Sequence, residues 1–402
     1  VVQLAGWPRG TRIHTHAHAL DVISRQRSLN FPPGAEYSYS NTGYNLLAII
    51  VERVSGVSFA EFTRRELFEP LGMTSTEWRD DFTRTVKGRA SAYAREDGDW
   101  HLRMPFENVH GNGGLLTTVG DLLRWNQALD SGTVAGMDTL ETQGVLSSGR
   151  RIAYALGLVV DDFRGVREVG HSGATAGYRA YLARYPETGV SVAMLCNAAN
   201  TEAGLAQRTA SLFMADRLHP AATPAAAVPA RAEELQRLAG LYRSRRTGEP
   251  LELVMAGDRL TTKGGTELVP LGPSVFSFGG GATRVEFVDS PPMLVRILYP
   301  DGDSVTYEPA APADTSPASL AAYAGEYRSD EAEATYTAEV RGGTLVLRMR
   351  PDITLPLSPA YADAFTGPGG VIVRFVRGAD GRVKALTLGT DRVRELRFDR
   401  VR

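Results

Sequence analysis

The stretch FPPGAEYSYSNTGY, residues 31–44, decides the fold prediction. Its Pro and Gly residues predict a turn, and apolar residues at three- and four-residue spacing from Tyr44 to Val54 predict a helix directly after it. Tyr39 and Asn41 lie two residues apart, so an extended segment would point both side chains to one side. The alternative is that these residues are structural and that Asn41 or Thr42 caps the helix.

The rest of residues 1–220 predicts a mixed α/β domain with an antiparallel sheet. Apolar periodicity predicts further helices over Ala19–Gln26, Ser58–Leu67, Val119–Leu129 and Ala203–Leu218. Strand-like stretches are Ala153–Val160 and Tyr178–Cys196, the second interrupted by the turn sequence at residues 186–189. A turn inside such a stretch predicts a β-hairpin.

A second polar cluster is GHSGA, residues 170–174, which leads into the predicted hairpin. It nearly satisfies the G-x-S-x-G pattern of a nucleophile elbow, which would make Ser172 a nucleophile. An elbow must lead straight into a helix, whereas strand follows here and Ala174 replaces the last glycine. A histidine in a glycine-rich loop with no chemical role is the plainer alternative.

The glycine-rich stretch at residues 111–123, GNGGLLTTVGDLL, predicts a turn before a helix capped by Thr117 or Thr118. No Gly-Lys-Ser/Thr follows, and the glycine spacing differs from the dinucleotide fingerprint, so a phosphate loop is excluded. Asn112 is a candidate substrate-binding residue here, although a purely structural turn is the simpler explanation.

Together these motifs resemble the serine β-lactamase and penicillin-binding-protein superfamily, in its class C and esterase-like branch. The resemblance rests on Tyr39-x-Asn41, on the glycine turn and on His171-Ser172-Gly173, which is similar to the family's third motif. It implies that Tyr39 is the general base or proton relay and that Asn41 holds the substrate carbonyl. It also implies that the Ala174 N–H helps to bind the oxyanion after Gly173 has let the strand approach, with Ser172 lining the substrate site. His171 would take the place of the usual lysine, and its titration near neutral pH suits proton handling.

The family's nucleophile lies in a Ser-x-x-Lys motif, which this chain does not contain. The chain has three lysines, and the residues three positions before them are Arg84, Leu260 and Gly381. We expect the nucleophile segment to lie outside this chain, on an N-terminal fragment separated by processing. A shortened chain and a non-catalytic binding homologue are the alternatives. Retention of the Tyr39 and His171 motifs argues against the last.

The remaining sequence predicts two small antiparallel β-barrels, at residues 231–310 and 318–402. Two Ala- and Pro-rich linkers, at residues 221–230 and 309–319, separate them from residues 1–220 and from each other. AGLYRS at residues 239–244 recurs as AGEYRS at residues 324–329, which indicates an internal duplication. One larger barrel spanning both copies is the competing topology. The duplicated barrels resemble the lipocalin-like domains of D-aminopeptidases.

Composition and charge narrow the partners and cofactors. The 44 basic and 46 acidic side chains leave a net charge of -2, which disfavours nucleic-acid binding. The single cysteine, Cys196, excludes internal disulfides and cysteine-based zinc sites. His14, His16 and His18 alternate, but no acidic or histidine partner motif is visible, so no metal and no other cofactor is expected. No apolar run is long enough to span a membrane. A soluble protein, cytoplasmic or exported, is expected, and a homodimer is left open.

These inferences converge on a serine hydrolase that works through an acyl-enzyme on a peptide, amide or ester bond. A D-aminopeptidase or amidase is favoured, because His171 offers no fixed cation for a substrate carboxylate. The alternatives within the superfamily are an esterase, a β-lactamase and a D-alanyl carboxypeptidase. The non-enzyme alternative is a binding protein, and a hollow apolar barrel interior would be its signature.

Overall fold

The computed structural model describes residues 14–79, 81–105, 108–133, 136–202, 204–220, 226–350 and 353–401. Residues 203 and 221–225, which the sequence analysis assigned to a helix and a linker, lie outside the described residues. The described residues form two compact units, one within residues 14–24 and 33–220 and the other within residues 25–32 and 226–401. The division of the second unit into separate domains at 231–310 and 318–402 stays a prediction.

The first unit combines helices with an antiparallel sheet. Its helices are α1 (His16–Ser24), α2 (Asn41–Ser55), α3 (Phe59–Thr63, continued by a π-helical turn at Arg64–Phe68), α4 (Val119–Ser131) and α5 (Leu205–Phe213), with a 3-10 turn at Met137–Glu141. Its strands are β1 (Glu77–Trp78), β2 (Tyr93–Glu96), β3 (Asp99–Leu102), β4 (Leu115–Leu116), β5 (Val159–Phe163), β6 (Val166–Thr175), β7 (Tyr178–Tyr185) and β8 (Val190–Cys196).

The four-stranded sheet β5-β6-β7-β8 is the frame of this unit, and the predicted hairpin is its β7-β8 pair. Helices α4 and α5 pack against its last two strands. Tyr185 is fully buried and belongs to the cluster that joins the sheet to α5, where Ala210 and Met214 complete the apolar contact. From α4, the Asn126 amide donates to the Ala183 carbonyl at 3.1 Å, which satisfies a buried strand acceptor.

The strand predicted over Ala153–Val160 begins only at Val159. Gly157, at φ +89°, lies in a tight turn, and Tyr154 forms an isolated antiparallel bridge with Val159. A φ in the left-handed region suits glycine and ends the extended run. The chain therefore doubles back at this point, which brings Tyr154 beside the sheet.

The second unit contains two antiparallel sheets, each preceded by a short helix, α6 (Ala232–Gln236) or α7 (Pro317–Tyr323). The first sheet comprises β9 (Gly240–Ser244), β10 (Pro250–Ala256), β11 (Arg259–Thr262), β12 (Leu268–Pro270), β13 (Val275–Phe278), β14 (Arg284–Val288), β15 (Leu294–Leu298) and β16 (Ser304–Pro309). The second comprises β17 (Gly325–Ser329), β18 (Ala334–Arg341), β19 (Thr344–Arg350), β20 (Ile353–Pro356), β21 (Ser358–Tyr361), β22 (Ala364–Gly367), β23 (Val371–Arg377), β24 (Val383–Gly389) and β25 (Leu396–Arg400), with a 3-10 turn at Pro368–Gly370.

Each sheet curls into a nearly closed barrel, because its first strand pairs with its last: β9 with β16, and β17 with β25. The order of strands otherwise follows the sequence, so both barrels are up-and-down meanders. The prediction of two small barrels is confirmed, and the single larger barrel is wrong. No helix among the described residues has the length and apolar character needed to cross a bilayer.

The two barrels repeat one structural device at the duplicated sequence. The Tyr242 hydroxyl donates to the Leu238 carbonyl at 3.0 Å, and the Tyr327 hydroxyl donates to the Tyr323 carbonyl at 2.7 Å. In both copies the acceptor lies four residues upstream, at the junction of the short helix and the first strand. The shared hydrogen bond shows that the repeat is structural as well as sequential.

Aromatic and aliphatic side chains fill the barrel interiors. In the second barrel, the Tyr336 and Phe398 rings stack with centroids 4.7 Å apart and are fully buried. In the first, the Phe276 and Phe287 rings meet edge to face at 5.4 Å. Packed aromatic interiors differ from the hollow apolar interior that a ligand-carrying barrel would need.

We predict that Tyr327 makes the second barrel sensitive to alkali. Burial raises the pKa of Tyr327 to about 12, against the opposing effect of Arg400, whereas an unfolded tyrosine ionises near about 10. The folded state therefore holds a proton that the unfolded state releases, so this contribution to stability is complete below about pH 10 and is lost as the pH rises to about 12. Tyr327→Phe removes the sensitivity. Between about pH 10 and about pH 12, the free energy of unfolding of the variant should therefore fall by about 2 to 3 kcal/mol less than that of the wild type.

Urea denaturation of the wild type and the variant, with hydrogen exchange of the β17 peptide as the local probe, measures this effect. Comparison near neutral pH is the control, since only the hydrogen bond to Tyr323 is lost there, at a cost of about 1 kcal/mol. Equal pH slopes for the two proteins would contradict the prediction.

Candidate active site

His171 lies on β6 at the point where the residues of the strand change from buried to exposed. The strand is buried through Gly170, His171 is half-buried, and the residues from Ser172 to Thr175 are exposed. At Gly170 a Cβ atom would lie 2.3 Å from the Leu182 carbonyl oxygen of β7, so a larger residue would break the pairing of the two strands. The position of His171 is thus fixed by strand packing beneath it.

Tyr39 lies beside His171, although the two motifs are far apart in the sequence. Their ring centroids are 5.9 Å apart, and the planes are tilted by 38°. Tyr39 belongs to the extended residues that precede α2, and its exposure is intermediate. The Tyr39 and His171 motifs therefore meet at one place in the fold.

Tyr154 completes this aromatic cluster. Its ring centroid is 5.7 Å from those of Tyr39 and His171 and 5.5 Å from that of Tyr37. The Tyr154 hydroxyl lies 3.3 Å from His171 Nε2. Sequence analysis missed Tyr154, because its position depends on the turn at Gly157 and no motif surrounds it.

Hydrogen bonds assign the tautomer of the His171 ring. Nδ1 lies 2.6 Å from the Ser172 carbonyl oxygen, which can only accept, so Nδ1 carries a proton and donates it. In the neutral imidazole Nε2 is then the acceptor, and the Tyr154 hydroxyl donates to it.

The environment of Tyr154 keeps its hydroxyl protonated. Burial raises the pKa of Tyr154 far above its usual range. Coulomb repulsion and a hydrogen bond from Tyr44 act in the same direction, as does repulsion from Tyr39 and Tyr37. A phenol with a raised pKa is a good donor and a poor base at neutral pH. Tyr154 therefore orients His171 and is unsuited to abstract a proton.

The exposed end of β6 offers an open strand edge. β7 pairs with β6 from Val169 to Thr175, whereas β5 pairs with it only from Val166 to Gly170. Among the described residues, no strand pairs with residues 171–175 on the β5 side. Ser172, Gly173 and Ala174 lie along this edge, where an extended ligand could add its own backbone.

Ser172 is not in a nucleophile elbow. β6 continues through Thr175 and turns into β7, so strand and not helix follows the serine. An α/β-hydrolase elbow needs a sharp strand-to-helix turn. This geometry removes the G-x-S-x-G interpretation of residues 170–174.

Asn41 is the first residue of α2 and is exposed. The predicted capping role of Asn41 or Thr42 is wrong, because Ser40 caps the helix, its side chain accepting from the Gly43 N–H at 3.2 Å. The Asn41 side chain is therefore not needed to start the helix. By contrast, Thr118 caps α4 as predicted, accepting from the Asp121 N–H at 3.2 Å.

Asn112 lies in the glycine turn, which contacts α2. The Asn45 amide donates to Asn112 Oδ1 at 2.6 Å and to the His110 carbonyl at 2.9 Å. Asn45 is buried, so it fixes the turn to the helix that begins at Asn41. No motif in the sequence singles out Asn45, which is recognisable there only as a residue of the predicted helix. Nearby, His16, Glu52 and His110 are the described residues able to hold a metal ion together.

We predict that Tyr154→Phe removes the hydrogen bond to His171 Nε2. In the wild type, Nδ1 is protonated and Nε2 accepts the Tyr154 hydrogen bond, and the variant loses that donor. The change is measured by ¹⁵N NMR of the imidazole at neutral pH, where the Nε2 resonance should shift. Tyr37→Phe is the control, since it alters a neighbouring tyrosine and leaves the Tyr154 hydroxyl in place. A wild-type spectrum with the proton on Nε2 would refute the assignment.

We predict that Gly111→Ala disturbs the turn that carries Asn112. At Gly111 φ is +103°, and a Cβ atom would lie 2.6 Å from the Tyr44 carbonyl oxygen and 2.8 Å from the Ala48 Cβ. The substitution should lower the free energy of unfolding by about 1 to 3 kcal/mol. Gly113→Ala is the matched control, because a Cβ there meets nothing within 4 Å, and it should change stability by less than about 0.5 kcal/mol. Equal losses in thermal or urea denaturation would show that the close approach does not matter.

Comparison with known proteins places the chain in a family. The Beta-lactamase family matches residues 14–214. A D-aminopeptidase of Gluconobacter oxydans (strain 621H) is 26% identical over 94% of this chain and 74% of that protein. Penicillin-binding protein 4* of Bacillus subtilis (strain 168) is 30% identical over 39% of this chain and 38% of that protein. An octameric penicillin-binding protein homologue from Pyrococcus abyssi superposes with a TM-score of 0.47 and 20% identity, covering 87% of this chain and 72% of that chain.

The family match covers the helices, the four-stranded sheet and the Tyr39, Asn112 and His171 motifs. The resemblance stated from the motifs is therefore confirmed, and with it the prediction of a serine hydrolase. The chain belongs to the beta-lactamase family, within the superfamily of serine β-lactamases and penicillin-binding proteins.

Proposed function

We propose that the protein hydrolyses amide bonds next to D-amino acid residues, as a D-aminopeptidase or amidase does, through an acyl-enzyme. The observation that supports this proposal is the contact between Tyr39 and His171, whose ring centroids lie 5.9 Å apart. This contact brings together the two motifs that resemble the catalytic motifs of the family. The similarity to a protein named D-aminopeptidase, which extends over 94% of the chain, supports the substrate class.

The two tyrosines beside His171 have different roles in this proposal. Tyr154 stays protonated and donates to His171 Nε2, so the proton relay falls to Tyr39. Asn41, two residues further along at the start of α2, holds the substrate carbonyl. A base and an orienting amide on one short segment can reach the same scissile bond.

The open edge of β6 receives the substrate. The Ala174 N–H donates to the oxyanion that forms when the carbonyl becomes tetrahedral, and Gly173 leaves room for the approach. Ser172 and Asn112 line the substrate site. His171, which stands in the place of the family's usual lysine, offers no fixed positive charge to a substrate carboxylate. This favours substrates with a free amine over those that end in a carboxylate.

The nucleophile is a serine of a Ser-x-x-Lys motif outside these 402 residues, since no lysine in the chain follows a serine at that spacing. Its Oγ bonds to the carbonyl carbon, and its proton passes through Tyr39, with the lysine beside it, to the leaving amine. The C–N bond then breaks and the acyl-enzyme remains. Water, deprotonated by the same relay, attacks the ester carbonyl carbon. The bond from that carbon to the serine Oγ breaks, the relay returns the proton to Oγ, and the acid leaves.

Penicillin-binding protein 4*, with 30% identity over 39% of this chain, favours a second candidate function, the hydrolysis of D-alanyl peptides or β-lactams. Both substrates carry a carboxylate that the family usually meets with a cation. His171 in the place of the usual lysine supplies no permanent cation, which argues against this candidate.

We predict that Tyr39→Phe lowers kcat by about 10² to 10⁴-fold on a D-aminoacyl amide, because the proton relay is lost. KM should change little, since the ring and its packing remain. Tyr37→Phe is the matched control, because Tyr37 is a neighbouring tyrosine whose ring also contacts Tyr154, and it should keep kcat within a few-fold. The assay uses the protein expressed from its complete gene.

A substrate panel decides the class within the same assay. D-aminoacyl amides should give a higher kcat/KM than L-aminoacyl amides, short acyl esters or penicillin. Preference for penicillin or for D-alanyl peptides would select the second candidate. Full activity in Tyr39→Phe, or no hydrolysis of any member of the panel, would contradict the acyl-enzyme proposal.

A further inference from the structure

Three potential metal ligands converge at the start of the first unit. His16 begins α1, Glu52 lies near the end of α2, and His110 immediately precedes the glycine turn. One ligand atom from each lies within 4.8 Å of the others. His16 Nδ1 is 3.3 Å from Glu52 Oε2, and the two imidazole rings are 4.2 Å apart between centroids.

Outer contacts orient two of these ligands toward a common point. His16 Nε2 lies 3.0 Å from the His110 carbonyl oxygen, and the His110 N–H donates to the same nitrogen at 3.3 Å. In the tautomer whose Nε2 proton is donated to that carbonyl, the Nδ1 lone pair is directed at the Glu52 carboxylate. Glu52 Oε1 accepts the Phe59 N–H at 3.2 Å, so Oε2 is the oxygen that faces His16.

In this tautomer an Nδ1 lone pair faces a carboxylate oxygen, and either a proton or a metal ion between them removes the repulsion. Metal-binding histidines usually donate their other ring N–H to a backbone carbonyl or a carboxylate, and the His110 carbonyl is placed to accept that hydrogen bond. The 3.3 Å separation of Nδ1 and Oε2 equals the edge of a tetrahedron with bonds of about 2.0 Å, the length of zinc bonds to nitrogen and oxygen.

The surroundings exclude much of the water. The side chains of His16 and Glu52 are 12% and 29% exposed, and His110 is buried. Phe59 and Trp78 stack on the His110 ring with centroids at 5.7 and 5.6 Å. Apolar walls lower the local dielectric constant and strengthen the attraction between a cation and the Glu52 carboxylate.

We propose that His16, Glu52 and His110 bind one divalent transition-metal ion, with zinc the ion that best fits two imidazoles and one carboxylate. A small movement of the His110 ring brings its nitrogen to bonding distance. The ion would join α1, α2 and the residue that precedes the turn of Asn112. The His110 carbonyl adds to this junction, because it lies 3.0 Å from His16 Nε2 and accepts a hydrogen bond from the Asn45 amide. This structural role does not depend on the proposed hydrolysis.

The sequence showed only part of this site. His14, His16 and His18 suggested alternation along a strand, whereas His16 starts a helix and is the one of the three that joins the cluster. Glu52 and His110 come from distant segments that carry no metal motif. An ion pair between Glu52 and a protonated His16, without metal, is the competing explanation of the same 3.3 Å contact.

Zinc titration of the chelator-treated full chain, in competition with a chromophoric chelator, tests the proposal. We expect one equivalent of zinc per chain and a higher melting temperature in the zinc-loaded protein. Glu52→Gln and His110→Gln should each weaken zinc binding by at least about 100-fold, which exceeds the usual cost of losing an outer contact. Cobalt substitution should give the visible absorption of a tetrahedral site.

His101→Gln is the control, because His101 is an exposed histidine on β3 outside the cluster, and it should bind zinc as the wild type does. Far-ultraviolet circular dichroism of the apo variants shows whether they fold. The wild-type titration is decisive even if a variant does not fold. Failure of the wild type to take up a stoichiometric ion, or binding that survives in a folded Glu52→Gln/His110→Gln double variant, would overturn the proposal in favour of the ion pair.

Discussion

The hydrogen bond from the Tyr154 hydroxyl to His171 Nε2 is the contact on which the candidate active site depends. It requires a protonated phenol, and burial among three other tyrosines provides one by raising the pKa of Tyr154. It also requires an unprotonated Nε2, which the bond from Nδ1 to the Ser172 carbonyl ensures in the neutral ring. Together these bonds hold the imidazole beside Tyr39, the residue that we propose as the proton relay.

The fold supports this contact from β6 and from the segment at the start of α2. In the buried half of β6, the close contact of Gly170 with β7 fixes the position of His171. The exposed half of the strand supplies the open edge. On the other side, Ser40 starts α2, and Asn45 ties that helix to the turn of Asn112. The barrels have packed interiors of their own, so their stability rests on separate cores.

Patterns within short segments of the sequence predicted helices, strands and motifs. The site residues that these patterns did not predict are placed by contacts between distant segments. The Tyr39 and His171 motifs, the hairpin and the duplicated barrels follow from spacing and repetition, because each is encoded within a short segment. Tyr154 could not be predicted, since a positive φ at Gly157 ends the expected strand and turns the chain toward His171. Glu52 and His110 lack any motif, and only helix packing brings them to His16. The helix cap was misplaced by one residue because Ser40 and Asn41 are both good caps.

We propose that Tyr39 and His171, with Tyr154 beside them, adjoin a nucleophilic serine that is not among residues 1–402. Mapping the serine that reacts with a fluorophosphonate tests this most directly, by mass spectrometry of peptides from the protein made from its complete gene. We expect the label on a serine that is followed by lysine at the third position and that lies outside these residues. A label on Ser172, or on any other serine of this sequence, would contradict the account.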